Sequence, residues 1–248
     1  MPTIIISGSA AGLGQAFLQA YGQDRSNTII SIDKEALPSP EIQGLPASIT
    51  HHQLNVTDPS SIDSLATNLS GTPIHLFVHS IGIRGLVPAI ERAQPESVAA
   101  AETLEVMDLD TLMRTFHINA VGTFMLVRAL LPNLRLAAES MPKDEQPKVV
   151  IMGSRMGSMG YNTTGSAYAY RASKAALNAM IKSFSIDVPD ISFIICHPGR
   201  VETKLVKYKE EGAISAEESV HGLLPLIQKW GREDSGKFYD RFGDPIEW

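Results

Sequence analysis

The sequence predicts an α/β protein built on a doubly wound parallel sheet, and three observations predict it. Short β-branched runs alternate with longer helical patterns along the whole chain. Those runs are apolar throughout rather than alternating with polar residues, as in strands covered on both faces. A glycine-rich turn, "SGSAAGLG", directly follows the first run and opens the first helical stretch.

Taken in order, "TIII" (3–6) is the first strand and the segment at about 13–23 the first helix. "TIISI" (28–32) is the second strand, and "ITHHQL" (49–54) a weaker third with two histidines in it. A helix at about 59–69 precedes the strand "HLFVH" (75–79), and a long helical pattern spans about 108–138. "KVVIM" (148–152) and "ISFIIC" (191–196) flank a helix over 168–187, which carries Leu177, Met180, Ile181 and Phe184 at core-facing spacing. A last helix at about 216–229 precedes a short terminal piece, "GKFYDRF". "ALPSPEIQGLP" (36–46) and "ESMPKDEQPK" (139–148) read as surface loops. Without repeats or long linkers, one domain over 1–248 is expected, with the substrate site in its C-terminal half.

Bulk properties exclude several function classes. The chain has 248 residues, 44% hydrophobic and 19% charged, as in ordinary globular proteins. A net charge of -6 with no basic stripe argues against nucleic-acid binding. Seven scattered histidines give no metal-ligand spacing. The single cysteine, Cys196, lies in an apolar strand and reads as a buried structural thiol. "MPTIII" lacks a secretory pattern, and "FMLVRALL" is interrupted by Arg128, so no membrane span is expected and a cytoplasmic location follows.

The chemistry-bearing motifs fall at strand ends. Gly8, Gly12 and Gly14 lie between the first strand and the first helix, where free N–H groups and the helix dipole suit a pyrophosphate. Asp33 ends the second strand 19 residues beyond Gly14, about where a carboxylate meets adenosine ribose hydroxyls. That carboxylate repels a 2′-phosphate, and neither Ser9 nor Ala11 brings a countercharge, so NAD is expected as cofactor. Lys34 beside Asp33 keeps NADP possible. Further on, "SAYAYRASKAAL" (166–177) offers two tyrosines and one lysine. Residues four apart lie about 40° apart on a helix and residues six apart about 120°. Tyr170 therefore shares a face with Lys174, and Tyr168 is read as a substrate-side or packing residue.

With "SGSAAGLG", "YRASK" and "HPGRVET" together, the chain resembles the short-chain dehydrogenase/reductase family, in its compact single-domain branch. The ending "GKFYDRFGDPIEW" is similar to that of its C-factor and sniffer-like carbonyl reductases. The resemblance implies a Rossmann fold and a dinucleotide held by Gly8, Ser9, Gly12, Leu13 and Gly14. Asn55 and Val56 in "LNVTD" would meet adenine, with Asn55 in place of an aspartate. Gly82 would allow close backbone approach, and Pro198, Gly199, Val201 and Thr203 would close over the nicotinamide. It also implies a catalytic set of Asn119, Ser154, Tyr170 and Lys174. Three departures stand out: Ser7 for threonine, Gly153 before the catalytic serine, and "HSIG" (79–82) where the family has N-N-A-G. His79 is read as structural.

In that reading Tyr170 exchanges a proton with the substrate oxygen while Lys174 stabilises the phenolate, lowers its pKa and holds the nicotinamide ribose. Ser154 orients the reacting oxygen, and Asn119 holds a water leading to Lys174. The expected activity is NAD(P)-dependent interconversion of a carbonyl and an alcohol on a small to medium substrate. The rival is a catalytically silent dinucleotide sensor or scaffold of the same fold. An epimerase is disfavoured, because about 50 residues follow Gly199. The resemblance implies a homodimer or homotetramer through helices 108–138 and 168–187. Finally, "PAIERAQPESVAAAET" (88–103) looks like an insertion, and it is expected to form part of the substrate wall beside a short, charged lid, "KLVKYKEEGAI".

Overall fold

The computed structural model describes residues 1–37, 42, 44–142, 145–208 and 211–248. Parts of both expected surface loops, 36–46 and 139–148, lie outside the described residues. Seven parallel strands form one sheet: β1 (Thr3–Ser7), β2 (Thr28–Asp33), β3 (Ser48–Gln53), β4 (Leu76–His79), β5 (Lys148–Met152), β6 (Ser192–His197) and β7 (Lys237–Asp240). Their order across the sheet is β3-β2-β1-β4-β5-β6-β7, the doubly wound Rossmann arrangement.

The helices whose residues are all described are α1 (Gly12–Gly22), α2 (Pro59–Asn68), α3 (Pro88–Ala93), α4 (Leu109–Phe116), α5 (Thr123–Ser140), α6 (Tyr168–Asp187) and α7 (Ala216–Lys229). Successive strand residues serve opposite layers, because strand side chains alternate faces. Ile5, Phe77, Val149, Phe193 and Ile195 pack with Leu126, Leu130, Leu177 and Ile181 of α5 and α6. Ile4, Ile6, Val78, Val150 and Ile194 pack with Phe17 of α1 and Val220, Leu223 and Ile227 of α7. Cys196 is fully buried in this second layer, and burial pushes its thiol pKa upward.

Caps mark the helix starts. Asp58 accepts from the Ser60 N–H ahead of Pro59, which as first helical residue has no N–H to satisfy. Ser215 accepts from the Glu218 N–H and opens α7.

Two expectations are corrected. The terminal "GKFYDRF" contains a strand, β7, in parallel register with β6 from Ile194↔Lys237 to His197↔Asp240. Only four residues long and followed by Arg241, it shows too little periodicity to be read locally. The long helical pattern at 108–138 runs from 109 to 140 and is interrupted by a π-helical turn, His117–Gly122. Leu109–Ser140 is also long and apolar enough to cross a membrane by length and composition. Its Leu126, Val127, Leu130 and Leu134 are fully buried in the core, which accounts for that apolarity.

Candidate active site

The glycine turn is shaped by close backbone packing. A Cβ on Gly14 would lie 2.1 Å from the Gly8 carbonyl oxygen, so only glycine lets α1 start this near β1. The Asp33 carboxylate accepts from the Ala10 N–H at 3.0 Å and from the Glu35 N–H at 3.0 Å. It thereby ties the turn to the end of β2. Ser9 faces inward: its hydroxyl meets Ser31 at 2.6 Å and donates to the Ile32 carbonyl. Its N–H also points inward, donating to the same carbonyl at 3.4 Å. Leu13 is half-buried at the start of α1. Asn55 is exposed and accepts from the N–H and hydroxyl of Thr57, while Val56 is buried. Lys34 is exposed and paired with Glu35 at 3.7 Å.

Across the cleft, Thr203 reaches over the turn, its methyl 3.0 Å from where a Gly12 Cβ would be. The Pro198 carbonyl accepts from the buried Ser219 hydroxyl. Gly199 has φ +95° and abuts Arg241, and Val201 bridges to Ile214. The Val201↔Ile214 bridge joins the two ends of the segment expected to act as a lid. The Ser80 hydroxyl is buried behind this cleft and has no hydrogen-bond partner among the described residues. A buried donor without a partner among the described residues, a backbone cradle and the Asp33 carboxylate at the end of β2 together fit a dinucleotide.

The catalytic candidates converge as the motif spacing requires. Tyr170 is 7% exposed and Tyr168 40%, so the first is buried and the second reaches solvent. The Ser154 hydroxyl accepts from the Met156 N–H and is hydrogen-bonded to the Tyr170 phenol. Gly153, the departure beside it, is explained by contact: a Cβ would lie 2.5 Å from Ile195 of β6. Lys174 is buried, donates to the Met152 carbonyl at 3.0 Å, and has its pKa lowered to about 8 by desolvation. The π-helical turn brings Asn119 beneath Gly82. There its amide oxygen accepts from the Ile83 N–H, and its nitrogen donates to the Ile83 carbonyl and the Ser173 hydroxyl. Ser173 in turn donates to the Tyr170 carbonyl.

Tyr170 itself corrects the expected electrostatics. Burial raises its pKa, opposed first by Arg84 and then by the Ser154 hydrogen bond, while Glu102 pushes it further up. Lys174 lies 5.8 Å from the ring centre and the Arg84 guanidinium 5.0 Å. The principal opposing charge is therefore Arg84, which the motif reading passed over.

The departures at Ser7 and His79 are partners. His79 Nδ1 and the Ser7 hydroxyl are 2.8 Å apart, and Nε2 and the Thr123 hydroxyl 2.8 Å. Thr123 donates its proton to the Asn119 carbonyl, so Nε2–H donates to Thr123 and Nδ1 accepts from Ser7. Full burial lowers the His79 pKa to about 3, so the ring is neutral, and it links β1 to the turn carrying Asn119.

Sequence reasoning also missed Glu102 and Ser173. Arg84 could have been noticed as a lone charge within "GIRGLV", but nothing local names its partner 18 residues on.

A family model described as short chain dehydrogenase matches residues 2–213. C-signal of Myxococcus xanthus is 35% identical over 187 residues, covering 75% of this chain and 99% of its own. The 1-hydroxy-2-glutathionyl-2-methyl-3-butene dehydrogenase of Rhodococcus sp. (strain AD45) is 28% identical over 100% of both chains. In structure, NADPH-bound carbonyl reductase from chicken fatty liver superimposes with a TM-score of 0.82 at 24% identity, over 100% of this chain and 99% of its own. Carbonyl reductase Sniffer of D. melanogaster gives 0.82 and 24% over 100% of both chains. These likenesses establish the fold, and the family match covers most of the chain, including the glycine turn, Ser154, Tyr170 and Lys174. The chain belongs to the short-chain dehydrogenase/reductase family and is an NAD(P)-dependent oxidoreductase.

Proposed function

We propose that this protein interconverts a carbonyl and an alcohol on a small to medium organic substrate, with Tyr170 as general acid and base. One observation carries the reading: the Tyr170 phenol is buried, hydrogen-bonded to Ser154 and flanked by two cations. A bound nicotinamide supplies the hydride chemistry. Gly8, Gly12, Leu13 and Gly14 would hold its pyrophosphate, Asp33 and Asn55 its adenosine end, and Gly82, Lys174 and the 198–203 segment its nicotinamide end. Ser154 fixes the reacting oxygen near the phenol, and Tyr170 gives it a proton in reduction or takes one in oxidation. Lys174 replenishes that proton, and Asn119 holds Ile83 and Ser173 in place around it.

NAD(H) is the preferred cofactor in this proposal, because the Asp33 carboxylate beside the glycine turn would repel a 2′-phosphate and Lys34 is drawn to Glu35. The chicken enzyme was solved with NADPH, so kcat/KM measured side by side with NADH and NADPH decides the matter. A clear NADPH preference overturns the NAD assignment.

The chain works as one domain in the cytoplasm and assembles as a homodimer or homotetramer. Leu109 and Met113, 69% and 59% exposed on α4, support the assembly, and light scattering reads its size.

Turnover of a carbonyl panel tests the activity. Tyr170→Phe should lower kcat by about 10²–10⁴-fold and leave NADH affinity nearly unchanged. Tyr168→Phe should cost much less. NADH binding without turnover of any carbonyl favours the silent-sensor alternative.

A further inference from the structure

The loop after β4 and the 88–103 excursion meet at Tyr170. Val87 N–H donates to the Ala101 carbonyl at 2.9 Å, closing the excursion at its base. The short 3-10 turn that ends it, Val98–Glu102, delivers Glu102 into the interior. Glu102 accepts from Arg84 Nε and Nη2, both at 2.9 Å, in a forked pair whose side chains are only 14% and 8% exposed. Arg84 Nη1 also approaches the Met156 sulfur at 3.1 Å. So oriented, the guanidinium lies over the Tyr170 ring, closer than Lys174.

The Glu102 main chain acts on the same helix. Its carbonyl accepts from the Ser166 hydroxyl and the Ala167 N–H. Ser166 and Ala167 both have positive φ, 58° and 51°, immediately before α6 begins. Left-handed backbone at non-glycine residues is strained and persists only where neighbours impose it. Glu102 is one such neighbour.

We propose that Arg84 and Glu102 are positioning residues for Tyr170, Glu102 holding the guanidinium against the phenol so that a fixed cation sets how readily it releases its proton. This rests on Tyr170 being the proton carrier, as proposed above. The charged and titratable groups around the phenol are Arg84, Glu102 and, from α6 itself, Lys174, with Arg171 beside the Arg84–Glu102 pair; His79 is neutral and feels the Lys174 charge. Arg84 and Arg171 stay charged across the working range. Lys174, with its pKa near 8, loses its charge above that value. Arg84 therefore remains the standing cation at alkaline pH.

The test titrates Tyr170 directly, in protein carrying 13Cζ-labelled tyrosine, with its resonance identified by its loss in Tyr170→Phe. Arg84→Met should raise the titration midpoint by about one to two pH units, ten- to a hundredfold in proton affinity. Glu102→Gln should lower it, because the amide oxygen still accepts from the guanidinium and keeps it over the ring while the opposing charge is gone. Arg84→Lys should keep the midpoint near the wild type but lower kcat, since an ammonium cannot form the fork. In alcohol oxidation the acid limb of the kcat profile should move in the same directions, with NADH affinity unchanged. Should Arg84→Met not fold, Arg84→Met/Glu102→Met removes both charges and leaves no buried unpaired ion. Its midpoint should rise, though less than with the arginine alone removed. Unchanged midpoints in these folded variants overturn the proposal. Full turnover by Tyr170→Phe would instead overturn the assignment of Tyr170 as proton carrier and leave the titration result standing.

Discussion

The two sides of the cleft are built differently. On one side, the turn between β1 and α1 works through main-chain groups of one continuous segment, with Gly14 tight against the Gly8 carbonyl. On the other, the mouth past β4 works through side chains drawn from Arg84, Glu102, Ser154 and Tyr170, far apart in sequence. A main-chain site tolerates almost no change in volume but needs few particular side chains. A side-chain site tolerates local reshaping, provided its charges stay paired. The glycine side should therefore break abruptly, and the mouth should detune by degrees.

The largest expected effect lies on the glycine side. Gly14→Ala puts a methyl 2.1 Å from a backbone oxygen that has nowhere to move. Such overpacking should cost about 3 kcal/mol and more than a hundredfold in NADH affinity. Urea unfolding and fluorescence titration measure both, and near wild-type values would mean that the turn is less rigid than described.

An intermediate effect is expected at His79, which joins the two sides. Its folded pKa of about 3 is well below the unfolded value near 6.5. Between those values the unfolded chain binds a proton that the folded one does not, so this histidine's contribution falls as pH drops from 6.5 towards 3. From pH 7 to pH 5 it amounts to about 2 kcal/mol. His79→Asn should lose less stability over that interval than the wild type, as read by urea melts at the two pH values. Identical pH slopes would mean that the ring is not held neutral.

The smallest effect belongs to the far rim. Glu91 of α3 pairs with Lys207 at 3.7 Å, which joins the 88–103 excursion to the segment after Thr203, the two pieces expected to border the substrate. Exposed pairs contribute about 0–1 kcal/mol, so stability should barely register their loss. Replacing 91–101 by a short Gly/Ser link, with Glu102 kept, should raise KM for the carbonyl several-fold and leave NADH affinity alone. Unaltered substrate kinetics would remove the excursion from the substrate wall and confine its contribution to Glu102.

Legibility followed the same division. The helix of Tyr170 and Lys174 was readable over 168–187, because side chains at helical spacing report their own face; Leu177, Ile181 and Phe184 are indeed buried and Met180 half-buried. Gly153 was visible only as a departure, since its cause is Ile195, a residue 42 positions away on the neighbouring strand. Ser7 and His79 were likewise two separate departures until β1 and β4 were placed side by side, with Ser7 opposite His79.

By itself, the sequence determined the strand–helix alternation, the turn at Gly8–Gly14, the place of Asp33 at the end of β2 and the helix face that Tyr170 shares with Lys174 and not with Tyr168. Each of these depends on spacing within a single turn, strand or helix, and local geometry is encoded locally. Tertiary structure decided the pairing of β7 with β6, the tautomer of His79, the burial that brings Lys174 to about 8, and the cation over the Tyr170 ring. Those depend on which distant groups share a desolvated space, where charges act strongly and every polar atom needs a partner, and residue order alone does not specify that neighbourhood.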